Sequence, residues 1–311
     1  MDGLASVASP LIAIVGPTAA GKSALALALA REREGEIVCC DSLQVYRGLD
    51  IGSAKPTAAE RAAVPHHLLD VVDPDQVFSA ADYSRRARAA LAEIAGRGRL
   101  AVVAGGTGLY LRALLSGLFE GPSRDETLRR RLERIAERRG DARLHGMLAA
   151  VDPEAAARIA PRDRVRVVRA LEVYRATRRP ISEHHRAGSD ALRGHDVLTI
   201  GLDPPREALR AAVERRTEEM FARGLMAEVR GLLDRGYGPE LRPLRAIGYR
   251  QAVAVARGEM DDGVAQHAIV AETMRYAKRQ RTWFRHQTRA TWFAAPEPAL
   301  AAARAWLEAR G

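Results

Sequence analysis

Residues 11–23, LIAIVGPTAAGKS, decide the fold. Leu11 to Val15 is a short unbroken apolar run stopped by glycine, the signature of a buried strand, and Ser23 to Arg33 carries apolar residues at helical spacing. Between them Gly16 to Ser23 fits the phosphate-loop pattern G-x-x-x-x-G-K-[ST] in the context its mechanism needs, after a strand and before a helix. Gly16 and Gly21 allow backbone amides to converge on phosphate oxygens, with Pro17, Thr18, Ala19 and Ala20 forming the rest of the cradle. The helix N-terminus adds partial positive charge, Lys22 bridges oxygens, and Ser23 reaches a magnesium ion. Any diphosphate or triphosphate satisfies such a loop.

Working outward, Ile37 to Cys40 reads as a second strand ending at Asp41, and Leu100 to Ala104 as a third running into Gly105, Gly106 and Thr107 and then a helix. Ser79 to Ala95 reads as a helix between them. Strands alternating with helices give a parallel sheet, whose ligands sit at the carboxyl ends of the strands, where Asp41 and Thr107 fall. Asp41 is therefore a turn residue, a proton acceptor, or a magnesium ligand through water. Thr107 is a helix cap or a donor to developing negative charge, since both uses want the same geometry. Lys55, in the turn Gly52 to Pro56, is either solvated or a second phosphate contact. His66 and His67 face opposite ways on a strand with no third ligand nearby, so they read as structural. The third strand ends in glycines and not in an acid, which argues against a motor ATPase.

From about Gly121 the pattern changes to charge-dense helices, broken at Gly140, Asp152 with Pro153, Pro161, and Arg179 with Pro180. Val197 to Leu202 then resumes an apolar strand, and helices follow to about His286. The expected architecture is α/β, a P-loop parallel-sheet core of residues 9–120 and 195–311 with an inserted all-helical domain at 121–194.

The 311 residues carry a formal charge of +10, nearly all of it from arginine, the lysines being Lys22, Lys55 and Lys278. Such a surplus favours polyanions such as nucleic acid, although genome composition also produces it. No apolar run approaches the roughly 20 residues of a membrane span, so no membrane segment is expected. Cys39 and Cys40, the only cysteines, are adjacent and poorly placed for a disulfide, which suits a reducing, cytoplasmic home and excludes a zinc knuckle. Residues 278–285, KRQRTWFR, interleave base and aromatic, a pattern that neutralises phosphates while stacking on bases; the alternative is an amphipathic helix with its aromatics in the core. RAIGYRQ, residues 245–251, adds a tyrosine between arginines.

GPTAAGKS, DSLQVYRGLDIGSAKP from Asp41 to Pro56, the Gly105 to Tyr110 turn, Arg169 to Val173, RAIGYRQ and KRQRTWFR occur in one order along nearly the whole chain. Together they closely resemble the tRNA dimethylallyltransferase family. The resemblance implies transfer of a dimethylallyl group from dimethylallyl diphosphate to the exocyclic amine of the adenosine just 3′ of the anticodon. It makes Asp41 the general base, Thr107 a stabiliser of the leaving diphosphate, and Gly16 to Ser23 its cradle. Arg216, flanked by Arg215 and Arg223, looks like the family's diphosphate-binding arginine. The implied tRNA contacts are Asp41, Ser42, Leu43, Gln44, Thr107, Arg129, the stretch Val165 to Arg169 with Arg166 and Arg169, then Arg245, Gly248, Tyr249, Arg250, Lys278, Arg279, Gln280, Trp283 and Arg285. Val165 stands where many members have glutamine. Mg2+ at Ser23, a monomeric protein, and an inserted domain gripping the tRNA anticodon stem-loop complete the expectation. A small-molecule kinase would use the same loop for ATP, and a prenyltransferase of free adenine nucleotides would share the Asp41 and Thr107 chemistry. The helical insertion and the basic aromatic segment argue against both. A nonenzymatic RNA-binding protein would have no need for Asp41 and Thr107 beside a phosphate loop.

Overall fold

The computed structural model describes residues 8–119, 121–122, 125–186 and 190–310. Contacts divide the chain into two compact units, Met1–Leu115 with Leu192–Gly311, and Ser116–Ala191. The expected edges, at 120 to 121 and 194 to 195, lie a few residues C-terminal to these.

The first unit opens with β1 (Ser9–Val15), α1 (Lys22–Glu32), β2 (Glu36–Cys39), α2 (Ala58–Ala63), β3 (His66–His67), α3 (Ala80–Gly96), β4 (Ala101–Ala104) and α4 (Gly108–Leu115). The second unit holds α5 (Glu126–Arg139), α6 (Asp141–Val151), α7 (Pro153–Arg158), α8 (Arg164–Thr177) and α9 (Ile181–Arg186). The chain then returns through β5 (His195–Leu202), α10 (Arg206–Ala222), α11 (Leu225–Asp234), α12 (Tyr249–Ala256), α13 (Asp262–Gln287), β6 (Thr291–Phe293) and α14 (Pro296–Glu308).

All six strands are parallel, in the order β3-β2-β4-β1-β5-β6. Alternation along the central strands sorts side chains to two cores. Leu11, Ala13 and Val15 pack with α3, α4, α11 and α12, whereas Ile12 and Ile14 pack with α1 and α14. From β1 the chain leaves across the sheet to β2, and from β4 it leaves toward β5 on the opposite side, so the adjacent carboxyl ends of β1 and β4 form a topological switch point. The phosphate loop and the Gly105–Thr107 turn both lie there.

Several elements differ from the sequence reading. The chain after His286 forms β6 and α14, which close one edge of the sheet; three residues of strand are too few for a periodic signal. His66 and His67, read as structural residues of a strand, do form one, at the opposite edge of the sheet, where His67 Nε2 bonds the buried Glu36 carboxylate at 2.6 Å. Phe284 and Tyr249 are core residues, 1% and 0% exposed.

In the second unit Leu132, Leu144, Leu148, Val167, Val168 and Leu171 build a separate apolar centre. Arg129 grips the buried Glu172 through two hydrogen bonds of 2.6 and 2.7 Å, tying α5 to α8. Asp152 caps α7 by accepting from Ala155 N and also accepts from Ser182 N.

Candidate active site

Backbone sterics set the shape of the phosphate loop. Gly16 sits at φ +137°, and a Cβ there would lie 2.2 Å from the Leu202 carbonyl oxygen, so β5 approaches too closely for any other residue. Gly21, at φ +89°, turns the chain into α1 so that the free amides of the first helical turn face the cavity. Side chains then brace the loop. Gln280, from α13, accepts from Thr18 N at 2.9 Å and donates to the Gly106 carbonyl at 2.8 Å, stapling the loop to the turn after β4. Arg216, from α10, donates to Thr18 Oγ1 at 2.9 Å, and Lys22 Nζ donates to the Pro17 carbonyl at 2.7 Å.

These residues enclose a cavity of about 170 Å³. Its wall consists of Thr18 to Ala24, the carboxylate turn at Asp41 and Gln44, Ser53 and Ala54, Ala104 to Gly106, and Arg216, Tyr276 and Gln280. Burial lowers the Lys22 ammonium to about 8, with Arg216 acting in the same sense and Asp41 opposing. Burial likewise lowers Arg216, against the attraction of Asp41. The Tyr276 phenol is raised to about 12, chiefly by burial and then by Asp41. Two cations with desolvated heads beside one carboxylate make a pocket that gains from an incoming polyanion.

Asp41 leaves β2 as the first residue of a tight turn, its Oδ1 accepting from Leu43 N at 2.8 Å and Gln44 N at 3.4 Å. Thr107 Oγ1 accepts from Ser42 N at 3.0 Å, which joins the ends of β2 and β4 and leaves the hydroxyl proton free to donate elsewhere. Thr107 is not itself among the lining residues; Gly105 and Gly106 are. Gln44 turns its amide inward, donating from Nε2 to the Ser53 and Ala54 carbonyls at 3.0 Å each and accepting from Cys39 Sγ at 3.0 Å.

Of the three neighbouring arginines, Arg216 reaches the loop, whereas Arg215 and Arg223 are exposed. Lys55 is no phosphate contact: its side chain is 1% exposed and its Nζ donates to the Tyr46 carbonyl at 2.6 Å, Asp50 at 2.7 Å and Asp70 at 2.6 Å. Ser23 lines the cavity and supplies a hydroxyl that fits a divalent ion carried in with a diphosphate. Among the described residues no group of three or more His, Cys, Asp and Glu could cage a metal on its own.

The other expected nucleic-acid contacts differ in exposure and in how far neighbouring side chains hold them. Lys278 and Arg279 are exposed on α13, with the Arg279 guanidinium 5.6 Å from the centre of the Tyr276 ring. Trp283 is half-buried over the start of α4, where Gly108 leaves room for its ring. Arg285 is partly spent on Asp203, at 2.8 Å, and on the Trp292 ring. Arg245 and Arg250 are exposed, the latter bonded to Glu272, whereas Gly248 and Tyr249 are buried. Arg166 is exposed in α8 and Arg169 is half-buried near Glu172, while Arg129 is committed to that same carboxylate. Ser53 and Ala54, from the turn read as a second phosphate contact, line the cavity, and Tyr276 lines it without having been expected there. A tyrosine four residues before Gln280 lies on the same helix face, and that spacing was the available signal.

The family model described as IPP transferase matches residues 44–287. A tRNA dimethylallyltransferase 2 of Syntrophus aciditrophicus is 51% identical over 91% of both chains. A tRNA dimethylallyltransferase of Anaeromyxobacter sp. strain Fw109-5 is also 51% identical, over 92% of this chain and 95% of that one. Among solved structures, the full-length tRNA isopentenylpyrophosphate transferase of Bacillus halodurans is 38% identical with a TM-score of 0.70, covering 97% of this chain and 96% of that one. A eukaryotic dimethylallyltransferase acting on tRNA is 25% identical with a TM-score of 0.79, over 97% of this chain and 80% of that one. Among the described residues no helix is long and apolar enough to cross a membrane.

Proposed function

The chain belongs to the IPP transferase family, and from that premise we propose how its residues divide the work of moving a dimethylallyl group to tRNA. It is a transferase. The acceptor is the exocyclic amine of the adenosine just 3′ of the anticodon, and the donor is dimethylallyl diphosphate. That amine is a weak nucleophile because its lone pair is delocalised into the purine, so its proton must leave as the new bond forms. The nitrogen attacks C1 of the dimethylallyl group, the C1–O bond breaks, diphosphate departs with the bonding pair, and Asp41 takes the amine proton.

Each half of that reaction has its residues. The backbone amides from Gly16 to Ser23, with Lys22 and Arg216, receive the departing charge, and Thr107 donates its free hydroxyl proton toward the leaving oxygen. Both hydrogen bonds found at Asp41 fall on Oδ1, so Oδ2 is the proton acceptor. Ser23 would hold Mg2+ together with the diphosphate, and the ion would supply further neutralisation of the leaving group. The adenine enters by leaving the anticodon-loop stack, as base-modifying enzymes require. Lys278, Arg279 and Trp283 are the exposed or half-exposed members of α13 that meet the RNA, and the basic helices α5 and α8 hold phosphates, contributing position rather than sequence choice. The protein works as a monomer on the tRNA anticodon stem-loop.

The observation that carries this reading is that one cavity is lined by a phosphate loop, two desolvated cations and the carboxylate of Asp41. Asp41→Ala is the test. Single-turnover transfer is expected to fall by about 100-fold or more while tRNA affinity is kept, since a general base acts on the transition state. A near-normal rate would make Asp41 a turn residue.

A further inference from the structure

The turn that follows Asp41 is fastened by a carboxylate from outside the cavity. Glu228, on α11, accepts from three successive backbone amides: Asp50 N at 2.9 Å and Ile51 N at 2.7 Å on Oε2, and Gly52 N at 3.2 Å on Oε1. The Tyr249 hydroxyl donates to the same Oε1 at 2.7 Å. Consecutive amides converging on one point form an anion-binding concavity, and here a side chain of the protein fills it. Tyr249 is fully buried, and a Cβ at Gly52 would come within 2.6 Å of its ring, so turn and ring fit together in one arrangement.

The turn leads directly to the site. It ends at Ser53 and Ala54, whose carbonyls accept both protons of the Gln44 amide, and the Gln44 backbone N–H donates to Asp41 Oδ1. Asp41, Gln44, Ser53 and Ala54 all line the cavity, whereas Glu228 and Tyr249 do not. The phosphate loop has separate supports in Gln280 and Arg216. We infer that Glu228, together with Tyr249, is a positioning residue for the proton-accepting side of the site: it sets the 50–54 turn, through that turn Gln44, and through Gln44 the Asp41 carboxylate. The inference rests on the reading of Asp41 as the base.

Because the two sides are braced separately, loss of Glu228 slows the chemical step and leaves diphosphate binding alone. In Glu228→Ala the single-turnover rate at saturating tRNA and dimethylallyl diphosphate is expected to fall about 10- to 100-fold, the usual cost of displacing a catalytic group by about 1 Å. Affinity for dimethylallyl diphosphate should stay within about twofold, because no phosphate-side contact is lost. Glu228→Gln keeps an acceptor for the amides and should recover much of the rate, and Tyr249→Phe, which removes one donor and keeps the ring, should cost about two- to fivefold. The double variant Asp41→Ala with Glu228→Ala should be no slower than Asp41→Ala alone.

A folded Glu228→Ala enzyme with the wild-type rate, an equal loss of diphosphate affinity, or losses that multiply in the double variant would each overturn the inference. If Glu228→Ala does not fold, wild-type rates in both Glu228→Gln and Tyr249→Phe overturn it instead. Near-normal transfer by Asp41→Ala alone would refute the base assignment, a result separate from any obtained at Glu228.

Discussion

Raising the pH should weaken binding of dimethylallyl diphosphate through one residue, Lys22. A free lysine titrates near 10.5, and burial in the phosphate loop brings Lys22 to about 8, the neighbouring Arg216 adding to the shift. A bound diphosphate restores the charged form by placing anions against it, so the free enzyme loses its proton in a range where the complex keeps it. Affinity is then constant with respect to Lys22 below about pH 8 and falls as pH rises through it, by about fourfold at pH 8.5 and about tenfold at pH 9 if the neutral amine contributes nothing. The folding linkage follows from the same values. The folded chain releases this proton before the unfolded chain does, so Lys22's contribution to the stability of the free enzyme rises between about pH 8 and 10.5. The assay is calorimetric titration of dimethylallyl diphosphate from pH 7 to 9.5 in wild type and Lys22→Met. The variant should bind weakly with the Lys22-dependent fall missing. A flat wild-type profile, or the same fall in Lys22→Met, would show that the Lys22 ammonium does not set the pH dependence of diphosphate binding.

Arg216→Gln should weaken dimethylallyl diphosphate binding by about 10- to 100-fold, the scale of a lost charge-assisted hydrogen bond, whereas Arg215→Gln and Arg223→Gln should bind as wild type; equal losses at all three would mean a diffuse field. Lys278→Gln with Arg279→Gln should lower tRNA affinity and flatten its salt dependence by about 1.5 to 2 in log–log slope, measured in a variant with unchanged thermal unfolding. Adding Arg285→Gln should change the slope less, because Asp203 and Trp292 already hold that guanidinium. Lys55→Met should lower the melting temperature by several degrees, since it strips partners from Asp50, Asp70 and the Tyr46 carbonyl, yet leave diphosphate affinity intact.

The parallel-sheet core and the placing of Asp41 and Thr107 at strand ends could be read from the chain because the phosphate loop leaves a local signature. Glycine spacing, a strand before and a helix after all lie within about twenty residues of one another. Gln280 illustrates what could not be read so. It lies 262 residues from Thr18, and nothing in KRQRTWFR marks it as the staple of the phosphate loop rather than a polar neighbour of the aromatics. Lys55 misled for a related reason: a lysine in a small-residue turn looks like a phosphate ligand until Asp70, from beyond α2, is brought against it. Tyr249 and Phe284 show the limit of composition, since aromatics flanked by arginine suit an RNA surface and a core helix equally, and packing placed both in the core.

A dimethylallyl group is expected to move to an adenosine of tRNA without consumption of ATP. The most direct measurement is incubation with radiolabelled dimethylallyl diphosphate, magnesium and unmodified tRNA, with ATP present or omitted, followed by digestion and nucleoside analysis. Label should appear on the exocyclic nitrogen of the adenosine 3′ to the anticodon in equal yield under both conditions, with one diphosphate released per label. Label confined to free adenine nucleotides, or a strict need for ATP with phosphate release, would mean that the phosphate loop serves another reaction.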